Sequence, residues 1–442
     1  MASSATHHDA RGLPLSTQSA TAAEHYVEGV ERQLSLNARP EDCLQAAVEA
    51  DPGFALAHAD LAFVKLYQRK ADEARASVER ARALVGGLFR RERQHVEAVG
   101  AMIDGPLSRA EALLGEHLAE FPRDVLAAQM AYSLTNANGR IDRRQQALGL
   151  LDELKPTYGD DWWFLSAYAF VHHELDRFEE SRRYAEQSLK RYPRNAHGAH
   201  SMAHVFYETA DYRSGAGFLE PWLADYDRAA PFNCHLTWHL ALFELSGGNE
   251  QRVIELYERA ISPAAAQQRN TLEDSASLLW RYKIYGCSPR ELPWGEVCEY
   301  AGKLTAKPGQ AFLDAHAALA YAAMGDDAAL GKLCDGLRAL GAARNDLAGE
   351  VVLPLALGLR AFAQGDYDGA IQYIEPLGPQ IVRIGGSHAQ REVFEDTLLQ
   401  AYFKTGRWEQ AESLLRKRLS QRSSPRDLVW LEAASRATSS PG

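Results

Sequence analysis

Residues Trp162–Pro193 read WWFLSAYAFVHHELDRFEESRRYAEQSLKRYP, and this run decides the fold. It holds two helical stretches with a short break before Phe178. Small Ala169 stands where the two helices would cross closely, and Ser181, Ala185 and Ser188 line the facing side of the second helix. Side chains of that size let neighbouring helices approach to roughly 8–10 Å, so that ridges enter grooves. Pro193 closes the unit. Outward from it, similar signatures recur at Ala55–Leu84, Gly248–Pro263, Gly325–Leu337, Gly365–Pro376 and Gly406–Leu415. Nearly every segment after residue 25 has apolar residues at helical spacing, and alternating β-branched stretches are missing. Loops are short and marked by Gly, Pro, Asp and Asn. Prolines at 122, 156, 193 and 231 recur about every 35 residues, the period of a helix-turn-helix repeat. No single unit can bury its apolar face alone, so stability has to come from stacking.

The Trp162–Pro193 unit resembles the tetratricopeptide repeat. Over nearly the full chain, GLPLST at Gly12–Thr17, the histidine-rich helix at 197–208, WHLALFELSGG at Trp238–Gly248, DSASLLWRYKIYG at Asp274–Gly286, FLDAHAALAYAAMGD at Phe312–Asp326 and GGSHAQREVFEDTLLQA at Gly385–Ala401 run in order and resemble the tetratricopeptide repeat protein 38 family. The resemblance implies an all-α, right-handed superhelical solenoid whose first helices line a concave groove, where ligands of such proteins bind. It names no activity. The expected organisation is a flexible segment at 1–19, a continuous array over 20–436 and a flexible tail at 437–442.

The chain has 442 residues, a length that calls for several domains or a solenoid growing by repetition. A net charge of −11 argues against a general nucleic-acid or anionic-membrane surface, which needs clustered Lys and Arg. The N-terminus has no apolar core of a secretory signal, and no apolar run reaches a membrane span. Cys43, Cys234, Cys287, Cys298 and Cys334 are scattered and lack a Cys-x-x-Cys pair. They read as reduced thiols, which with the missing signal points to the cytoplasm. No GxSxG, GxGxxG or GxxxxGK[ST] element is present, leaving serine-hydrolase, dinucleotide and P-loop chemistry without support.

Five of the fifteen histidines fall on two successive helices: His197, His200 and His204, then His235 and His239. By the repeat's register these positions face the groove, together with Trp238 and with Trp163 and His173 of the preceding unit. His200, His204 and Glu208 are each one turn apart and share a face. Neutral imidazole is a common donor to zinc, iron or nickel, so His200, His204, His235 and His239 form a candidate divalent-metal site. Without a metal, His204, His239, His200, His235 and Glu208 are the candidate acid/base residues, since imidazole suits proton transfer at neutral pH. The bland alternative is a set of histidines hydrogen-bonded within a wide polar helix interface.

A small-molecule or peptide ligand would draw on Trp163, His173, His197, Trp238, Asp274, Arg281, His316, His388 and Arg391. Gly385–Gly386 before a helix start would present backbone N–H groups to an anion. The plainer reading of the same segment is a helix start capped by Ser387. Three functions stand open: a groove binding a small molecule or peptide, a hydrolase- or lyase-type enzyme using the histidines, and a protein–protein scaffold that includes a homodimer.

Overall fold

In a computed structural model, residues 7–344 and 347–439 are described. Among these residues twenty-three α-helices follow one another, most of them as helix-turn-helix pairs. The first four pairs are α1 (Ala20–Ser35) with α2 (Pro40–Ala50), α3 (Ala55–Tyr67) with α4 (Ala71–Ala83), α5 (Arg90–Asp104) with α6 (Leu107–Glu120), and α7 (Val125–Ala137) with α8 (Arg143–Tyr158). The middle holds α9 (Trp162–Glu174), α10 (Phe178–Arg191), α11 (Ala196–Glu208), α12 (Tyr212–Ala224), α13 (Asn233–Ser246) and α14 (Glu250–Leu256), the last extended by a π turn at Tyr257–Ile261. The remaining helices are α15 (Thr271–Ile284), α16 (Trp294–Leu304), α17 (Ala311–Met324), α18 (Asp327–Arg344), α19 (Leu353–Ala363), α20 (Tyr367–Ile374), α21 (His388–Thr405), α22 (Trp408–Gln421) and α23 (Pro425–Ser439). The fold is an all-α superhelix of tetratricopeptide-type helix-turn-helix units.

The α9–α10 unit shows why these sequences pair. Ala169, Ser181, Ala185 and Ser188 are wholly buried between the helices. The hydroxyl of Ser188 reaches back to the carbonyl of Trp162 at 2.7 Å. At the α12–α13 crossing, a β-carbon on Gly215 would sit 2.7 Å from the Phe243 ring, so only glycine lets these two helices meet. The apolar interior divides into two clusters. One runs from Leu15 to Val171 and the other from Ala169 to Ala434, the latter reaching back to Leu36 and Ala38.

That reach reflects closure of the superhelix. The Tyr226 hydroxyl donates to the carbonyl of Leu36, and Arg69 donates to the carbonyl of Arg269 at 3.3 Å. Arg143 donates to the carbonyls of Val382 and Gly386 at 3.2 and 2.7 Å, and Arg383 to that of Gly139 at 3.1 Å. Helix α21 packs on α15 and touches α11, so the later repeats fold onto the inner face of the middle ones.

Residues 7–19, expected as a flexible segment, make defined contacts: His7–His8 pairs with Pro14–Leu15, Leu15 is fully buried, and the Ser16 N–H donates to Glu92 at 2.9 Å. Residues 437–439 continue α23, and Pro156 lies inside the last turn of α8. The flexible segments expected at 1–6 and 440–442 lie outside the described residues. No helix among the described residues is long and apolar enough to cross a membrane.

Candidate functional site

Helix α11 is fixed at its start. The Asn195 side chain accepts from the His197 N–H at 3.1 Å and donates to Ser188 Oγ at 2.8 Å, tying the cap to the preceding helix. Gly198 lies against Leu189, where a β-carbon would sit 3.2 Å from the side chain. From this start, one-turn spacing carries His200 and His204 along the face toward α13, whose own one-turn pair is His235 and His239. All four side chains are buried, His204 and His239 completely.

The four imidazoles converge. His200 Nε2 lies 2.9 Å from His204 Nε2 and 3.0 Å from His235 Nε2. One nitrogen of each of the four rings lies within 4.8 Å of the others. The His239 ring centre is 4.4 Å from that of His204 and 4.9 Å from that of His235. Neither nitrogen of His239 has a hydrogen-bond partner, nor does Nδ1 of His200 or His204.

Behind His235 stands Asp274 of α15, with both carboxylate oxygens 3.0 Å from Nδ1. The carboxylate places the proton on Nδ1 and turns the Nε2 lone pair inward, the arrangement that orients metal-bound histidines. The Trp238 indole stacks on the His235 ring and donates to Ser277 Oγ at 3.2 Å, which locks the ring plane. Phe170 stacks on His200, and Phe232 meets the same ring edge-on. Both phenylalanines are partly exposed.

Protons satisfy this arrangement poorly. His200 Nε2 has two nitrogen neighbours and at most one proton to give, so it can accept from both only if His204 and His235 each carry Nε2–H. With Asp274 ionised, His235 would then be a buried cation. Burial pulls His200, His204 and His239 well below the ordinary imidazole value, and the neighbouring imidazoles lower them further. Neutral rings with lone pairs turned to one point are what a cation requires.

A second polar centre adjoins the first. The ring centre of His173 lies 4.2 Å from that of His204, and its Nε2 has no hydrogen-bond partner. His388 Nδ1 stands 3.0 Å from Glu208, 3.7 Å on the other side of which lies Arg422. His388, Arg422 and His173 outweigh burial and hold the Glu208 carboxyl down at about 2. Glu208 is therefore an ion-paired carboxylate one turn from His204.

The anion at the start of α21 is the chain's own Glu174. Ser387 caps that helix with Gln390 in a reciprocal box. The His388 N–H donates to Glu174 at 3.0 Å, and Arg144, Arg143 and Arg391 surround the same carboxylate at 3.1, 3.5 and 3.5 Å. Gly386 has φ +69 and lies against Phe312, where a β-carbon would come within 2.4 Å of the ring.

The other expected ligand residues are spread out. Arg281 is fully buried, donates to the carbonyl of Ala389 at 2.5 Å and lies 5.7 Å from the Trp238 ring centre. His316 bonds to the carbonyl of Phe312 at 2.8 Å and packs on Phe394. His197 Nδ1 lies 3.2 Å from Ser166 Oγ at the partly exposed edge of the cluster. Trp163 packs on Tyr158 in the N-terminal core.

His95, His117 and Asp124 form a contrasting group that sequence reading did not single out. His95 lies between Asp124 at 3.1 Å and Asp60 at 2.7 Å, and His117 between Asp124 at 3.2 Å and Gln94 at 3.1 Å. Every ring nitrogen here has a partner. The two aspartates overcome burial and push His95 up to about 10, making it a structural imidazolium.

No protein-family model matches the chain. Among solved structures it is similar to a human IFIT1 dimer with PPP-AAAA, at 14% identity and TM-score 0.44 over 93% of this chain and 95% of that one. It is also similar to a human IFIT1 dimer with m7Gppp-AAAA, at 15% identity and TM-score 0.39 over 87% and 90%. The P58(IPK) TPR domain matches at 16% identity and TM-score 0.21 over 88% and 99%. Nothing about ligands or assembly follows for this chain from likenesses of that size.

Proposed function

We propose that this tetratricopeptide-type protein binds a divalent transition-metal ion through His200, His204, His235 and His239. One observation carries the reading: the Nε2 atoms of His200, His204 and His235 meet within 3.0 Å steps while Asp274 orients His235 from behind. The all-imidazole donor set suits zinc, copper, iron or nickel. Cys234, the nearest thiol in sequence, lies 3.8 Å from both Asp274 and the Ile261 carbonyl and is tied up there. Four imidazoles would hold the ion, and a small molecule with oxygen or nitrogen donors would complete its coordination. The ordered segments from Gly12–Thr17 to Gly385–Ala401 further support reading the chain as a relative of the tetratricopeptide repeat protein 38 family.

Elemental mass spectrometry of protein prepared without a histidine tag tests the reading, with a His200→Ala/His204→Ala variant alongside. Near-stoichiometric metal in the wild type, lost in a variant that keeps its helical circular dichroism, is the expected outcome. A metal-free wild type that also fails to take up added zinc, nickel, cobalt or copper would reject it.

A further inference from the structure

Where the superhelix closes, the α1–α4 units face the loops before α13 and α15 and the helix α16 across a cleft of about 400 Å³. Its walls carry Arg39, Arg69, Lys70 and Arg269 and no acidic side chain, in a chain whose net charge is −11. Such a concentration against the overall sign marks the place where a small anion would be drawn.

The cations are incompletely used. Arg39 enters no hydrogen bond or ion pair of the described residues. Arg69 Nη2 reaches the Arg269 carbonyl and lies 3.8 Å from Glu273, while its buried Nη1 has no partner. Burial pushes the Glu273 carboxyl up to about 7, so it neutralises Arg69 weakly near neutral pH. Gln33, only 5% exposed, also lines the cleft with an unpartnered Nε2. An unsatisfied buried donor is costly, and a ligand acceptor would satisfy it. Lys70 alone is engaged elsewhere, 2.7 Å from Glu41.

Apolar surface accompanies the charge. Tyr67 and Tyr300 line the same cleft, and the Arg269 guanidinium lies 4.6 Å from the Tyr67 ring centre. Guanidinium groups bind phosphate through paired N–H donors, and aromatic faces accept a planar ring. The volume falls in the range of small-molecule sites.

We propose that this cleft binds a phosphorylated small molecule with a planar body, of nucleoside diphosphate size. Its phosphates lie among Arg39, Arg69 and Lys70, and its ring lies against the tyrosines. Because the walls come from opposite ends of the closure, the occupant ties them together. The site is independent of the histidine centre.

Isothermal titration at near-physiological salt, with ADP, pyrophosphate and adenosine as probes, tests the assignment. ADP is expected to bind at least tenfold more tightly than pyrophosphate, and adenosine not measurably. Arg39→Ala, whose side chain has no partner in the free protein, should weaken ADP about tenfold and leave the melting temperature unchanged. Lys70→Ala should act in the same direction. ADP binding no tighter than about 1 mM, or binding that both variants leave intact, overturns the proposal. Equal affinity for ADP and pyrophosphate overturns the planar body.

Discussion

His235 is held between Asp274 and His200: Nδ1 stands 3.0 Å from each carboxylate oxygen, and Nε2 stands 3.0 Å from the Nε2 of His200. The carboxylate fixes which nitrogen carries the proton and so which one faces the cluster. Asp274→Asn keeps the shape and removes the charge. Removing an outer-shell partner of this kind typically costs 10–100-fold in metal affinity. Competition with a chelator should show a loss of about that size, with the helical signal unchanged. Unaltered affinity would mean that Asp274 has no hold on the centre.

Glu174 joins the first half of the superhelix to the last repeats, since Arg143, Arg144 and Arg391 converge on it with the His388 N–H. Glu174→Gln leaves three guanidinium groups without their anion, and breaking a buried pair costs about 3–5 kcal/mol. The arginines hold this carboxyl well below its ordinary 4.5 despite burial. The contribution is thus fully present above pH 4.5 and is lost as pH falls below it. Urea unfolding should show a wide gap between wild type and variant at pH 7 that narrows in acid.

For His95 the sign is reversed. Its folded value of about 10 lies above the ordinary 6.5, so its contribution is complete below pH 6.5 and declines as pH rises toward 10. Wild type should therefore lose its advantage over His95→Asn between pH 7 and 10, by an amount on the order of 3 kcal/mol. A gap constant over that range would show that His95 is neutral in the folded protein.

The repeat was legible because its determinants are local: Ala169, Ser181, Ala185 and Ser188 fall at helical spacing within one unit. The four-histidine face was legible for the same reason, since one-turn spacing on consecutive helices needs no knowledge of closure. What escaped depends on distant partners. Ser16 is fixed by Glu92, and His388 by Glu174 and Glu208, which no periodicity connects. The Ser387 cap after Gly385–Gly386 is legible in sequence, but the carboxylate that meets this helix start comes from a helix more than two hundred residues earlier. By the repeat's register Phe170 falls on the groove face, but only the packed helices reveal that it stacks on His200 and that Phe232 meets the same ring edge-on.

Anomalous diffraction from crystals of the untagged protein, collected at the absorption edge of whichever metal elemental analysis finds, tests the four-histidine centre most directly. The account predicts one strong peak among the Nε2 atoms of His200, His204 and His235 and a ring nitrogen of His239, absent in the His200→Ala/His204→Ala variant. No peak there, with the four rings hydrogen-bonded to water or to one another, would contradict it.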